Sequence, residues 1–228
     1  MSMEDYIAAR KEGIKQLHAL ESRGQDPYLP VLAELVPKLN QMAQVPLGLV
    51  QIGLDQIEGT ATKGRTTAFA RGFLPLLEQD SEFATKWSIL YDGIVEDGLR
   101  QPIVALEYYN RFYIVEGNKR VSVMRRLDAV NIEANVTRVL PEAEDSERYR
   151  VYQEFLSFYA DTKLNFIVFS REGSYERLYK LIGKTPGEKW TPEDLFDFQS
   201  CFYRFQQAYA ARLGGEIPMS ACDALLIY

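Results

Sequence analysis

The chain has 228 residues, of which 46% are hydrophobic and 25% charged, and its formal net charge is −6. That balance is typical of a globular protein with a real core and argues against a whole surface built for non-specific nucleic-acid binding. No run approaches the roughly 18 apolar residues of a membrane span, and the N-terminus mixes charges without the apolar stretch of a signal peptide, so a cytoplasmic protein with no membrane partner is expected.

Met3 to about Ser22 reads as a helix with Ile7, Ile14 and Leu17 as its apolar positions, broken by Gly24, Pro27 and Pro30. A short apolar helix is expected around Val31 to Val36, then a loop to Pro46. From Leu47 the sequence alternates, with Val50, Ile52 and Leu54 on one face, the period of a strand. The small and polar run "EGTATKGRTTAFARG" reads as a loop or a weakly specified turn into a helix, and it carries Lys63, Arg65 and Arg71. A helix follows: Phe83, Trp87, Leu90, Tyr91 and Ile94 fall on one face, Asp80 or Ser81 caps it, and Gly98 ends it. "QPIVALEYYNRFYIVEG" reads as two short strands about a turn at Tyr109-Asn110, with Pro102 at the start of the first. The next helix runs from Asn118 to about Leu127 with Val121, Met124 and Leu127 inward, and "IEANVTRVL" returns as a strand.

Beyond Pro141 the pattern is mostly helical. Two amphipathic helices carry the aromatic stripes Tyr152, Phe155, Phe158, Tyr159 and Phe198, Phe202, Phe205, Tyr209, which read as core. Between them "NFIVF" is either a strand or a buried turn, and "GSYERLYKLIG" a short helix. Thr191, Pro192, Glu193 and Asp194 make a strong helix start. The chain stops in "ACDALLIY", an apolar run without a polar tail, which suggests one part of a longer protein. Cys201 and Cys222 lack metal-ligand spacing and read as two buried thiols in a reducing compartment. His18 is the only histidine, so any acid–base chemistry falls to carboxylates, lysine or tyrosine.

The chemistry concentrates in "VEGNKRVSVM", Val115 to Met124. A β-branched run stops at Gly117 and a helix starts, with Asn118 as the expected cap and Lys119 and Arg120 in the first turn. Cations are disfavoured there by the helix macrodipole. A phosphate at the helix N-terminus would reverse that penalty, since free N–H groups and an arginine fork both suit it. Between residues 111 and 126 the cations Arg111, Lys119, Arg120, Arg125 and Arg126 face the single acid Glu116. The bland alternative is a turn glycine followed by solvated cations.

From about Leu47 to Leu140 the ordered motifs resemble the ParB/sulfiredoxin superfamily. "LVQIGLDQIEG" resembles its opening strand, and Lys63-Gly64-Arg65 stands where the family often has a polar residue, proline and arginine. "EDGLRQPIVAL" resembles the segment before its central strands, and "FYIVEGNKRVSVMRRLDAVNIEANV" its G-x-x-R junction, helix and closing strand. The resemblance implies an α+β fold in three parts: a helical N-terminal extension (1–46), a small mixed ParB/sulfiredoxin-like core sheet (47–140), and a mostly helical C-terminal region packed on it (141–228). It also implies that Gly117, Asn118, Lys119 and Arg120 hold the phosphates of ATP, CTP or another di- or triphosphate, with magnesium as a possible companion. Arg65, with Thr66 or Thr67, would close over the nucleotide, and Glu116 is the candidate for a catalytic, ribose or metal contact.

Members of the family use the junction differently, and three functions follow. The first is a nucleotide-binding regulatory domain of a larger bacterial regulatory or DNA-associated protein. The second is a small-molecule kinase or slow NTPase. The third is a ParB-type DNA-binding or transcription regulator, for which the charge gives no support. Sulfiredoxin chemistry is excluded, because Asn118 stands where that enzyme needs its cysteine nucleophile. The aromatic C-terminal helices would offer a surface to a protein partner.

Overall fold

The computed structural model describes residues 2–64, 66–213 and 218–227, with Leu213 described by its backbone alone, and divides the chain into two compact units, Met1–Glu142 and Ala143–Tyr228. The first contains α1 (Ser2–Glu21), α2 (Leu32–Leu35), β1 (Gln44–Gly53), β2 (Ile57–Thr60), β3 (Phe69–Ala70), β4 (Leu74–Pro75), α3 (Glu82–Asp97), β5 (Ile103–Tyr108), β6 (Arg111–Glu116), α4 (Asn118–Arg126) and β7 (Asn131–Val139). The class is α+β. Five strands form one mixed sheet in the order β1-β7-β5-β6-β2, and β3 and β4 pair separately.

Alternation in β5 and β7 sends Ile103 and Ala105, then Ile132, Ala134 and Val136, to one face of the sheet. There they meet Phe83 and Trp87 of α3 and Val121 of α4 in the main core. Burying side chains of this size stabilises by about 1.5–3 kcal/mol each. Ser81 accepts from the Ala84 N–H and starts α3, and Gly98 ends it at a positive φ, as its sequence suggests. The β5–β6 hairpin turns at Tyr109 and Asn110, both at positive φ, which is the combination that matches strand twist in a two-residue turn.

Two expectations need correction in this unit. The buried face of α1 is Tyr6, Ala9 and Gly13, not the stripe through Ile7, which is 43% exposed. The reason is close approach: α1 lies on β3 and β4, and a Cβ on Gly13 would come within 2.6 Å of the Pro75 carbonyl oxygen. Small residues set that contact, and a hydrophobic periodicity does not weigh them. The second correction is β2. The segment following Leu54 contains a short turn and then a strand, Ile57–Thr60, running parallel to β6 with Ile57 opposite Phe112 and Thr60 opposite Ile114. Four residues, most of them buried, carry no alternation to read.

The second unit contains α5 (Glu147–Thr162), α6 (Ser174–Ile182), α7 (Pro192–Leu213) and α8 (Ala221–Leu225). Tyr152, Phe155, Phe158 and Tyr159 of α5 are buried, and of the α7 stripe Phe202 is buried while Phe198, Phe205 and Tyr209 are partly covered. "NFIVF" is neither strand nor helix but an irregular segment with Ile167 and Phe169 buried. Thr191 and Asp194 cap α7 reciprocally: the Asp194 N–H donates to Thr191 Oγ1 at 3.2 Å and the Thr191 N–H to Asp194 Oδ2 at 2.9 Å. Cys222 is buried, but Cys201 is exposed on α7, against the reading of two buried thiols.

Candidate functional site

Strand directions decide what meets at the junction. β6 and β2 are parallel, so both end at the same sheet edge, while antiparallel β5 begins there. Thr60 Oγ1 and the Ala61 N–H both donate to the Ile114 carbonyl at 2.9 Å. The loop after β2 therefore leaves the sheet beside the strand that leads into Gly117. An edge at the carboxyl ends of parallel strands, next to a helix N-terminus, is where phosphate ligands bind in many α/β proteins.

Gly117 is required by both conformation and space. Its φ of +115° is left of what L-residues adopt, and an added Cβ would lie 2.5 Å from Ile103 Cγ2. Gly117 itself, rather than Asn118, is the N-cap of α4; Asn118 is the first helical residue. A glycine cap has no side-chain oxygen to give, and the first turn of α4 contains no acid. In contrast, α3 and α5 are capped by Ser81 and Ser146. Asn118 Oδ1 is buried and accepts no hydrogen bond from the described residues.

The cations have specific positions. Arg120 is the centre of the site, its side chain only 15% exposed. Nη2 lies 2.9 Å from Glu116 Oε1, and Nη1 donates to the carbonyls of Pro102 and Gln101, the latter at 3.3 Å. Arg120 thus clamps the entry to β5 onto the start of α4 and holds the Glu116 carboxylate, which is 71% exposed. Lys119 Nζ sits 4.6 Å from the centre of the Phe83 ring, a favourable cation–π placement. Arg125 donates to the carbonyls of Gly72, Leu54 and Ile57 at 2.8–2.9 Å and lies over Phe73; burial lowers its pKa from the usual arginine range. Arg126 pairs with Asp5 and Glu12 of α1, each at 3.3 Å. Arg111 Nη1 donates to the Asp55 carbonyl at 3.4 Å.

Of the residues singled out by sequence, Glu116, Gly117, Asn118, Lys119 and Arg120 are contiguous at this edge. Thr66 starts a short 3-10 turn, Thr66–Ala68, in the neighbouring loop and donates to the Lys63 carbonyl at 3.4 Å. Arg65 lies outside the described residues. Sequence reasoning missed the carbonyls of Gln101 and Pro102 and the methyl of Ile103. The "LRQPI" segment that supplies all three was noticed as a motif, yet nothing in it signals that its backbone faces an arginine.

The fold and site define a mixed α+β unit with a strand–glycine–helix junction at the edge where β2 and β6 end. No family model and no curated protein matches the chain. Among solved structures it is similar to the sulfiredoxin from Arabidopsis thaliana, at 20% identity over 39% of this chain and 82% of that one, with a TM-score of 0.28. It is also similar to the C-terminally truncated chromosome-partitioning protein ParB from Caulobacter crescentus complexed with CTP-γ-S, at 16% identity over 76% of this chain and 73% of that one, with a TM-score of 0.29. No helix among the described residues is long and apolar enough to cross a membrane.

Proposed function

We propose that this chain is a nucleotide-responsive regulatory domain that binds the phosphates of ATP, CTP or a related nucleotide at the Gly117–α4 junction. The observation that carries this reading is the pairing of Arg120 with Glu116. The N-terminus of α4 has no side-chain cap, two cations and no acid in its first turn, and Arg120 there pairs with an exposed carboxylate on the preceding strand. Glu116 then acts as a placeholder. A phosphate displaces it, accepts from the α4 N–H groups and from Arg120, and frees Glu116 to meet the ribose or a magnesium ion carried by the nucleotide. Thr66, in the loop after β2, and Arg65, outside the described residues, are the further candidates that the resemblance supplies for closing over the nucleotide. A kinase would need Glu116 as a base or metal ligand from the outset, and its engagement by Arg120 favours the switch over the enzyme. The DNA-binding reading gains nothing from the basic island, because Arg125 and Arg126 are bound within the fold.

A thermal-shift panel of ATP, ADP, CTP, GTP and inorganic phosphate, with and without magnesium, tests this on three proteins. At 100 times its Kd a ligand adds about 2.7 kcal/mol of stability. For wild type, one nucleotide is expected to raise Tm; Arg120→Ala should abolish the rise and Glu116→Gln should enlarge it. If no nucleotide shifts wild type, or if Glu116→Gln weakens binding as Arg120→Ala does, the placeholder reading fails.

A further inference from the structure

The second unit contains a cleft of about 460 Å³. That volume suits a small organic molecule. Its walls come from the end of α6 and the first half of α7: Leu181, Trp190, Phe198 and Phe202 are apolar, with Asp197 and Cys201 also lining it. We infer that this cleft binds a small organic cation with an apolar, aromatic body.

Two observations lead there. First, the charge is uneven. Lys184 and Asp194, which also line the cleft, neutralise each other at 2.8 Å. Asp197 is exposed and makes no ion pair or hydrogen bond among the described residues. The lining therefore carries one uncompensated negative charge. Second, the rest of the lining is mainly apolar and aromatic, with Leu181, Trp190, Phe198 and Phe202, which suits the body of an aromatic ligand. Apolar walls and an outer carboxylate describe one complementary ligand: a ring with a cationic end.

The test uses three compounds with the same phenyl ether body and different heads: choline phenyl ether, its neutral isostere 3,3-dimethylbutyl phenyl ether, and phenoxyacetate. The full chain is labelled with 5-fluorotryptophan, which gives two ¹⁹F resonances, because the sequence has two tryptophans. Trp190→Phe assigns them, and Trp87, in the first unit, is the internal control. Choline phenyl ether is expected to shift the Trp190 resonance saturably and leave Trp87 in place. The neutral and anionic compounds should bind at least two- to fivefold more weakly, about the worth of one exposed ion pair. Asp197→Asn, an exposed substitution with little risk to folding, should erase that preference. The inference is overturned if the neutral or anionic compound binds as tightly, if Asp197→Asn leaves the order unchanged, or if no compound moves Trp190 alone.

Discussion

Gly117→Ala isolates the claim that the junction needs a glycine for space as well as for its backbone. The substitution forces an L-residue to φ +115°, a left-handed strain of about 1–2 kcal/mol. It also drives a Cβ to 2.5 Å from Ile103 Cγ2 and 3.0 Å from Ile103 Cβ, an overpacking cost of about 1–3 kcal/mol. Ile103 is fully buried, so Ile103→Ala alone costs about 2–5 kcal/mol. In the double variant the methyl is gone and most of the clash goes with it. The two losses should then sum to about 1–3 kcal/mol less than the separate values predict. Urea unfolding of the four proteins, followed through the fluorotryptophan resonance of Trp87 in the same core, measures this coupling. Additivity within about 0.5 kcal/mol would mean that the junction relaxes around a side chain. The glycine would then be serving its dihedral angle alone.

Arg125→Met should cost roughly 2–4 kcal/mol, because three carbonyls lose a charged donor, whereas Arg126→Ala, which breaks two outer ion pairs, should cost at most about 1 kcal/mol; equal urea midpoints for the two would refute the distinction. Asp194 should titrate near pH 2 in a carboxyl ¹³C experiment, drawn down first by its hydrogen bond from Lys184 and then by the Thr191 N–H and hydroxyl. Because its folded pKa lies below the ordinary value, its stabilising effect is present above about pH 4 and disappears as pH falls toward 2. Lys184→Met should move that midpoint upward, and an unmoved midpoint would show that the cap at Thr191 alone sets it.

Most elements were readable because their signals are local. Ser81 and Thr191 announce helix starts, Asn110 a tight turn, and the alternation of Ile132, Ala134 and Val136 a half-buried strand. What escaped depends on residues far apart in sequence. β2 exists through its parallel pairing with β6, and Gly13 is buried through the arrival of β4. Exposure of Cys201 reflects which face of α7 packs, and a helix with aromatics on several faces does not declare that in its periodicity.

The basic island shows why a local sum of charge is not a potential. Five cations within sixteen residues suggested one anion site, but helical geometry sends them in different directions. Arg125 turns under the fold to three carbonyls, Arg126 reaches α1, and Lys119 rests on a ring. The dipole penalty of a cationic first turn is thereby offset within the protein before any ligand arrives. Arg120 alone combines a structural and an exchangeable partner. Its contacts to the Gln101 and Pro102 carbonyls are fixed by the backbone that leads into β5, while Glu116 is a flexible, largely exposed carboxylate. On the proposed reading, an incoming phosphate would replace Glu116 without dismantling the clamp. Affinity would then be a difference between two anions on one guanidinium, so Glu116 would govern binding as directly as the residues proposed to hold the phosphate.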